Sequence, residues 1–309
     1  MKNQEVKDSG FSDKAENQGK RILKKDGSSN IKKVGLSFSD SFALYHSLIT
    51  MNSWLFFVVI LVSYVLINVV FASFYLIIGI ETLVDSSVVE VNSAFLRAFF
   101  FSTQTLTTVG YGQMSPTGIG ANIIASFEAF IGLLMFALLT GLLYGRFSRP
   151  KAKLMFSKNA LIAPYLDNAK GLMVRLANPK NSNLINVNAS LLFSYIIEDK
   201  GDKIRKYFNL NLEIKEIKLL SASWTLVHPL DAESPLVNFN KQTLQSSNAE
   251  LVVQIEGYDE TYSQQVSTRT SYTFDEVVYN AKFKRILKHD EEGNVYVDLG
   301  QLSDYELTP

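Results

Sequence analysis

The sequence predicts a two-span α-helical membrane domain with a re-entrant helix and loop, joined to an all-β sandwich, and three observations carry that class. No charged residue occurs from Ser47 to Ile80. From Ala98 to Gly145 the only charge is Glu128, yet the middle of this stretch is rich in Thr, Gly and Ser and contains Pro116. After Pro150 the composition changes to short alternating runs separated by turn residues.

The elements follow in order. Residues 1–36 are dominated by Lys, Asp, Ser, Asn and Gly, too polar to offset the entropy of ordering, and read as disordered. At 37–52, Ser39 or Asp40 can cap a helix whose Phe42, Tyr45, Leu48 and Ile49 share one face, as in a helix lying in the membrane interface; a solvated linker helix is the alternative. Residues 53–80 form a first span, with Trp54 and Tyr75 near its ends as aromatic anchors. The Thr, Gly and Ser-rich backbone that follows cannot face lipid, because its N–H and C=O groups would go unpaired. This gives a pore helix and extended loop over 94–112, then a second span over 119–146.

Residues 147–154 read as a linker, and 155–309 as the sandwich. Its expected strands are Leu172–Leu176, Ala189–Ile196, Leu210–Leu220, Leu251–Ile255, Val266–Tyr272 and Val295–Leu299, with turns such as Asn178–Asn181 and Glu292–Asn294. Lys24, Lys25, Lys32 and Lys33 precede the first span, and Arg146, Arg149, Lys151, Lys153 and Lys158 follow the second. The loop between has Glu81, Asp85 and Glu90 against Arg97, so both ends are expected in the cytoplasm of a multi-pass protein of the cell membrane.

Composition narrows the chemistry. The chain has no cysteine, three histidines and no clustered carboxylates, which argues against an enzyme. Zero net charge gives no footprint for a nucleic-acid partner, and neither a βαβ pattern nor a glycine-rich phosphate turn follows residue 150. The polar, basic first residues do not read as a secretory signal.

Between the spans lies Thr108-Val109-Gly110-Tyr111-Gly112, which is the signature of potassium-channel selectivity filters. Gly110 and Gly112 permit backbone angles closed to other residues, so that successive carbonyls can point one way. Thr108 can add a hydroxyl oxygen, and Tyr111 would point away from the axis. One chain carries one such loop, so a pore needs four copies.

Further pieces make the resemblance more specific. They are Tyr45-His46-Ser47-Leu48, Asn68-Val69-Val70-Phe71-Ala72, Arg146-Phe147-Ser148-Arg149-Pro150, His228-Pro229-Leu230-Asp231 with Ser234-Pro235-Leu236, and Ile255-Glu256-Gly257-Tyr258-Asp259-Glu260-Thr261 with Arg269-Thr270-Ser271-Tyr272. With the filter, they resemble the bacterial inward-rectifier potassium channels. The resemblance implies a homotetramer with potassium as permeant ion and no organic cofactor. It also implies an interfacial slide helix and an immunoglobulin-like cytoplasmic domain that extends the pore.

Position by position, the resemblance makes Gly132 and Gly141 hinge glycines and Tyr144 the ring that narrows the helix-bundle crossing; an interfacial aromatic anchor is the plainer alternative for Tyr144. Arg146, Arg149, Lys151 and Lys153 match the cluster that meets anionic lipid headgroups, a role juxtamembrane basic residues also have on electrostatic grounds, besides setting topology. Tyr262, Ser263, Gln264 and Gln265, running on to Val266, match a constriction of the cytoplasmic pore. Glu256 matches an acidic ring there, or is a solvated strand-end charge.

This sequence also departs from the pattern. Gln104 stands where many relatives carry a Glu, and Gln113 and Met114 replace the charge after the filter, so neutral hydrogen bonds are expected to brace the loop. Phe136 occupies the cavity position that is Asp or Asn in strong rectifiers, which predicts weak rectification. Glu128, at cavity height, is expected to be buried and bonded to Thr or backbone groups of the pore helix rather than to touch permeating ions. Three other readings differ in one feature each. A ligand-gated two-span channel would need a dinucleotide fold, a non-selective cation channel would replace Tyr111, and a membrane-anchored sensor would carry no flux.

Overall fold

The computed structural model describes residues 21–30, 44–85, 93–148, 153–166, 169–199 and 201–308. The chain divides into two compact units, Val34–Arg149 and Pro150–Pro309, the latter joined by the N-terminal residues to Lys33.

In the first unit, α1 (Leu44–Thr50) is a short helix with Ile49 buried and Leu44 and Tyr45 exposed. The expected start of this helix, Ser39 to Phe42, lies outside the described residues. Next comes α2 (Ser53–Ile78), capped by the Asn52 side chain, which accepts from the Trp54 N–H at 3.3 Å. It stops where Gly79 adopts φ 103°, a conformation glycine accepts readily. A strand, β1 (Leu83–Asp85), leads to α3 (Ala94–Leu106), whose N-cap Ser93 accepts from Leu96 N at 3.4 Å. The loop that follows ends in β2 (Met114–Pro116), antiparallel to β1.

The last helix of this unit, α4 (Gly118–Phe147), buries only Ala121, Glu128 and Gly132. Their spacing of seven and four places them on one stripe, against α2 and α3. Among the described residues, α2 and α4 are the helices long and apolar enough to cross a membrane. Phe71, Ala72 and Tyr75 of α2 meet Ala98 and Phe101 of α3 in one apolar cluster. The Tyr75 and Phe101 rings meet edge to face at 5.0 Å.

In the second unit, β3 (Met155–Phe156), β4 (Ala160–Tyr165), β5 (Ala169–Ala177), β6 (Leu184–Asp199), β7 (Asp202–Leu210), β8 (Glu216–Leu220), β9 (Ser223–Pro229), a short helix α5 (Lys241–Ser246), β10 (Glu250–Asp259), β11 (Gln264–Thr273) and β12 (Val277–Tyr279) build two five-stranded sheets. One runs β11-β10-β6-β7, with β8 also on β6; the other runs β12-β4-β5-β3, with β9 also on β5. The inward residues of both, among them Leu172, Leu176, Leu191, Phe193, Leu226 and Ile255, form one core, as in a β-sandwich. Three short strands, β13 (Ala281–Phe283), β14 (Leu287–His289) and β15 (Val295–Val297), precede β16 (Tyr305–Leu307). Of these, β13 pairs with β16, and β14 with β15.

Three expectations need correcting here. Leu210–Leu220 is not one strand. The chain leaves β7 at Leu210 and re-enters a sheet at Glu216, and Leu212 between them is buried on its own account. Val295–Leu299 likewise ends as a strand at Val297 and turns into a 3₁₀ helix, Leu299–Gln301. The largest change concerns residues 21–30, read from composition as part of a disordered tail. Ile22 and Leu23 are buried against Tyr207 and Val252, each side chain contributing about 1.5–3 kcal/mol from burial.

Specific polar contacts fix this segment. The Glu250 carboxylate accepts from Ile22 N at 2.8 Å and Leu23 N at 3.3 Å, and the Ser271 hydroxyl donates to the Leu23 carbonyl at 2.7 Å. Arg21 and Lys25 both pair with Glu276, and Lys25 stands 3.8 Å above the Tyr272 ring.

Burial pushes the Glu250 carboxyl above its usual range, while the Ile22 and Leu23 N–H groups pull it back. Arg205 stands 4.0 Å from the same carboxylate. Removing the acceptor by Glu250→Ala is expected to lower the hydrogen-exchange protection of the Ile22 and Leu23 amides. Protection that stays level in E250A would show that Glu250 does not hold the segment.

The His228 motif also proves to be architectural. Its ring is buried, with Nδ1 2.7 Å from the Asn211 carbonyl and Nε2 2.8 Å from the Ser234 hydroxyl. A carbonyl only accepts, so Nδ1 carries the proton and Nε2 accepts from Ser234. Burial holds the ring's pKa down, consistent with a neutral imidazole that ties β9 to the Ser234 turn.

Candidate ion pathway

The loop from Thr108 to Gly112 hangs from the C-terminal end of α3. Thr108 N donates to the Thr105 carbonyl at 3.0 Å, and the Gln104 carbonyl accepts from Val109 N at 3.0 Å and Gly110 N at 3.3 Å. The main chain of Gln104 thus braces the inner half of the loop, whatever its side chain does. Thr108, Gly110 and Gly112 have φ of 59°, 53° and 79°, whereas φ at Val109 and Tyr111 is not positive. Alternating the sign of φ at every second residue undoes the usual side-to-side alternation of peptide planes, so the carbonyls turn toward a common side. Among the described residues, no hydrogen-bond donor reaches the carbonyls of Thr108–Gly112. They form a row of oxygens open to a cation.

Glycine at two of these positions follows from the conformation, but Thr108 does not. A β-branched residue at positive φ is strained by about 1–3 kcal/mol, and sequence reasoning did not anticipate it. Tyr111 is 74% exposed and Val109 53% exposed in the single chain, so this loop buries little of itself.

Below the loop, a recess of about 540 Å³ is lined by Thr107, Thr108, Leu133, Phe136 and Leu139, with Gly132 in its wall. Phe136 and the Thr108 end of the loop therefore share one space. Phe136, Thr140 and Tyr144 follow at four-residue spacing along one face of α4, and Phe136 and Tyr144 are each 74% exposed.

Glu128 does not line this recess. It is fully buried and held by Tyr75 Oη at 2.7 Å and Ser102 Oγ at 2.5 Å. Its partners are side chains of α2 and α3, not threonines or backbone, and Tyr75, expected as an interfacial aromatic anchor, is fully buried here instead. The two expected hinge glycines separate as well. A Cβ on Gly132 would meet the Leu106 carbonyl oxygen at 2.0 Å, while Gly141 has nothing within 4 Å of that position. Gly132 is where α4 touches the end of α3.

Of the four basic residues, Arg149 and Lys151 lie outside the described residues, and Lys153 is exposed. Arg146 is engaged inside the unit. Its Nη1 donates to the carbonyls of Leu48 at 3.1 Å and Ile49 at 3.3 Å; Nη2 donates to the Met51 carbonyl at 2.6 Å and Ser53 Oγ at 3.0 Å. The guanidinium also lies 4.9 Å over the Phe56 ring. His46 is exposed on α1.

In the sandwich, Glu256 lies on β10 between Asn188 of β6 and Ser267 of β11, and accepts from Gln254 Nε2 at 2.6 Å. Tyr262 and Ser263 form the turn between β10 and β11, with Ser263 at φ 51° and Lys180 5.4 Å from the Tyr262 ring. Gln264 and Gln265 begin β11 and are exposed, but Val266 is 5% exposed and belongs to the core rather than to a loop.

The family model for the inward rectifier potassium channel C-terminal domain matches residues 154–308, and an ion channel model matches residues 53–149. Inward rectifier potassium channel Kirbac3.1 of Paramagnetospirillum magnetotacticum is 35% identical over 92% of this chain and 95% of its own length. The G protein-activated inward rectifier potassium channel 1 proteins of Bos taurus and Gallus gallus are 30% identical over 67% of this chain. The alignments span 43% and 44% of those longer proteins. Among solved structures, Spo0M of Bacillus subtilis is similar over 41% of this chain and 49% of its own, at 14% identity and a TM-score of 0.22, a likeness too faint to bear on fold or function.

Proposed function

This chain belongs to the inward-rectifier potassium channel family, and on that premise we propose that four copies enclose one pore in the cell membrane, with both termini in the cytoplasm. Potassium is the permeant ion of the family, and in this chain it passes the carbonyls of Thr108, Val109, Gly110 and Tyr111, with Gly112 closing the loop. The observation that carries this reading is the alternation of φ along Thr108–Gly112, whose carbonyl oxygens receive no hydrogen bond from the described residues. Covering the exposed Tyr111 and Val109 is the task of the neighbouring subunits.

In this proposal Tyr144 narrows the inner mouth, and Gly141, which has open space around it, is the hinge that lets the end of α4 bend. Tyr262, Ser263, Gln264 and Gln265 line the cytoplasmic vestibule, and Glu256 raises the cation concentration there. Lys153, with Arg149 and Lys151, meets anionic lipid headgroups at roughly 1 kcal/mol per charge. Phe136 leaves the cavity without a ring of carboxylates, so polyamines bind weakly there.

Rubidium uptake into liposomes, competed by potassium, barium and sodium, tests selectivity. Potassium and barium are expected to compete and sodium to fail. Equal competition by sodium would overturn the filter reading. Adding spermine to the inner face tests the cavity: steep voltage-dependent block at low concentration would rule out the weak rectification assigned to Phe136.

A further inference from the structure

Asn68, Tyr75, Ser102 and Glu128 are all fully buried, and they form one connected set across α2, α3 and α4. Asn68 Nδ2 lies 2.8 Å from the Tyr64 carbonyl and its Oδ1 lies 3.0 Å from Ser102 Oγ. Ser102 Oγ is in turn 2.5 Å from Glu128 Oε1, and Tyr75 Oη is 2.7 Å from Glu128 Oε2.

The protons in this set can be placed by what each atom can do. A main-chain carbonyl only accepts, so the Asn68 amide must present its NH₂ to Tyr64. That turns Oδ1, also an acceptor only, toward Ser102. The single hydroxyl proton of Ser102 therefore goes to Asn68, and none remains for the contact with Glu128. The single Tyr75 proton goes to Oε2. An ionised Glu128 would leave one of the two Ser102 contacts as an oxygen pair without a proton. A protonated Glu128 supplies the missing one.

The surroundings agree. Phe71, Ala72, Ala98 and Phe101 form the neighbouring apolar cluster, and among the described residues no Lys, Arg or His forms an ion pair with Glu128. A carboxylate buried without a cation is costly, and such groups take up a proton instead.

We infer that Glu128 is a neutral carboxylic acid whose proton completes a hydrogen-bond relay from α4 through Ser102 to Asn68, and that this relay positions the pore helix α3. The link to conduction is short in sequence. Ser102 precedes by two residues Gln104, whose carbonyl receives the N–H groups of Val109 and Gly110. Glu128 is a positioning residue, because it acts on the filter only through α3.

Glu128→Gln separates the two protonation states. The amide can replace the acid atom for atom, with Nε2 donating to Ser102 and the carbonyl accepting from Tyr75. E128Q is expected to assemble and to keep rubidium-over-sodium discrimination within about twofold of the parent, whereas E128L, which can neither donate nor accept, is expected to lose about tenfold or more. The infrared difference between parent and E128Q at neutral pH is expected to contain the carbonyl stretch of a protonated carboxylic acid. A carboxylate doublet in its place would overturn the inference, even with E128Q selectivity intact. So would a well-assembled E128Q tetramer that had lost selectivity. The flux comparison rests on the proposed ion pathway, but the infrared band does not, so failure of one can be told from failure of the other.

Discussion

Gly132→Ala is expected to disable the pore domain, while Gly141→Ala leaves it assembled and stable. Both glycines sit on α4, and by resemblance both are hinges. Their surroundings differ completely. At Gly132 the added methyl would lie 2.0 Å from the Leu106 carbonyl oxygen and 2.9 Å from its carbon. Those are main-chain atoms at the end of α3, so no side chain can swing aside to make room. Either α4 or the end of α3 must move, and overpacking of this kind costs about 1–3 kcal/mol per subunit. The displaced element carries Gln104 and hence the proposed filter, so selectivity is expected to fall along with thermal stability. At Gly141 no described residue of the same chain lies within 4 Å of the added methyl, and alanine favours the helix by about 1 kcal/mol over glycine. Thermal unfolding of the detergent-solubilised protein, with rubidium flux alongside, reads both. If G132A left stability unchanged and altered only the open probability, the hinge reading would stand and the packing one would fall.

Why the sequence reading treated these glycines alike shows where such reading stops. The two spans are legible because lipid excludes charge along a contiguous run, and a run is a local property. The Thr108–Gly112 motif is legible because its glycines answer a local backbone demand. The Gly132 contact depends on Leu106, which is distant in sequence, and the composition around Gly132 says nothing about it. The same holds for residues 21–30. Their composition is that of a disordered segment, yet a carboxylate on β10 collects two of their N–H groups. Glu128 lies between these cases. An acid in an apolar helix announces a polar partner, but only the packing of α2 and α3 against α4 identifies Tyr75 and Ser102. Thr108 went unseen for the opposite reason: its propensity argues against the conformation that the loop imposes.

Arg146→Ala is expected to impair the channel even in bilayers without anionic lipid. By charge and position Arg146 looks like a headgroup ligand, but its donors are committed elsewhere. A helix leaves its last carbonyls without partners, and α1 ends at Thr50. The Arg146 fork reaches across from the last turn of α4 to the carbonyls of Leu48, Ile49 and Met51, and its Nη2 also meets Ser53 Oγ. One guanidinium thereby closes the end of α1, fixes the turn into α2 and ties both to the inner end of α4. Its positive charge also complements the C-terminal end of the α1 dipole.

Hydrogen bonds to charged groups contribute about 1.5–3 kcal/mol each and are not additive, so R146A is expected to cost a few kcal/mol per subunit. Arg146→Lys retains the charge but not the planar fork, and is expected to recover only part of that. Lys153→Ala provides the contrast. Lys153 is exposed, and its loss is expected to leave thermal stability within about 0.5 kcal/mol while shifting the dependence of flux on anionic lipid. The measurement is rubidium flux in neutral and in anionic vesicles for each variant, with thermal melting as the companion. An R146A channel that melts like the parent, conducts normally in neutral vesicles and loses only its response to anionic lipid would make Arg146 a headgroup ligand. The connection between α1 and α4 would then have to rest on the packing around Ile49 and Gly145 alone.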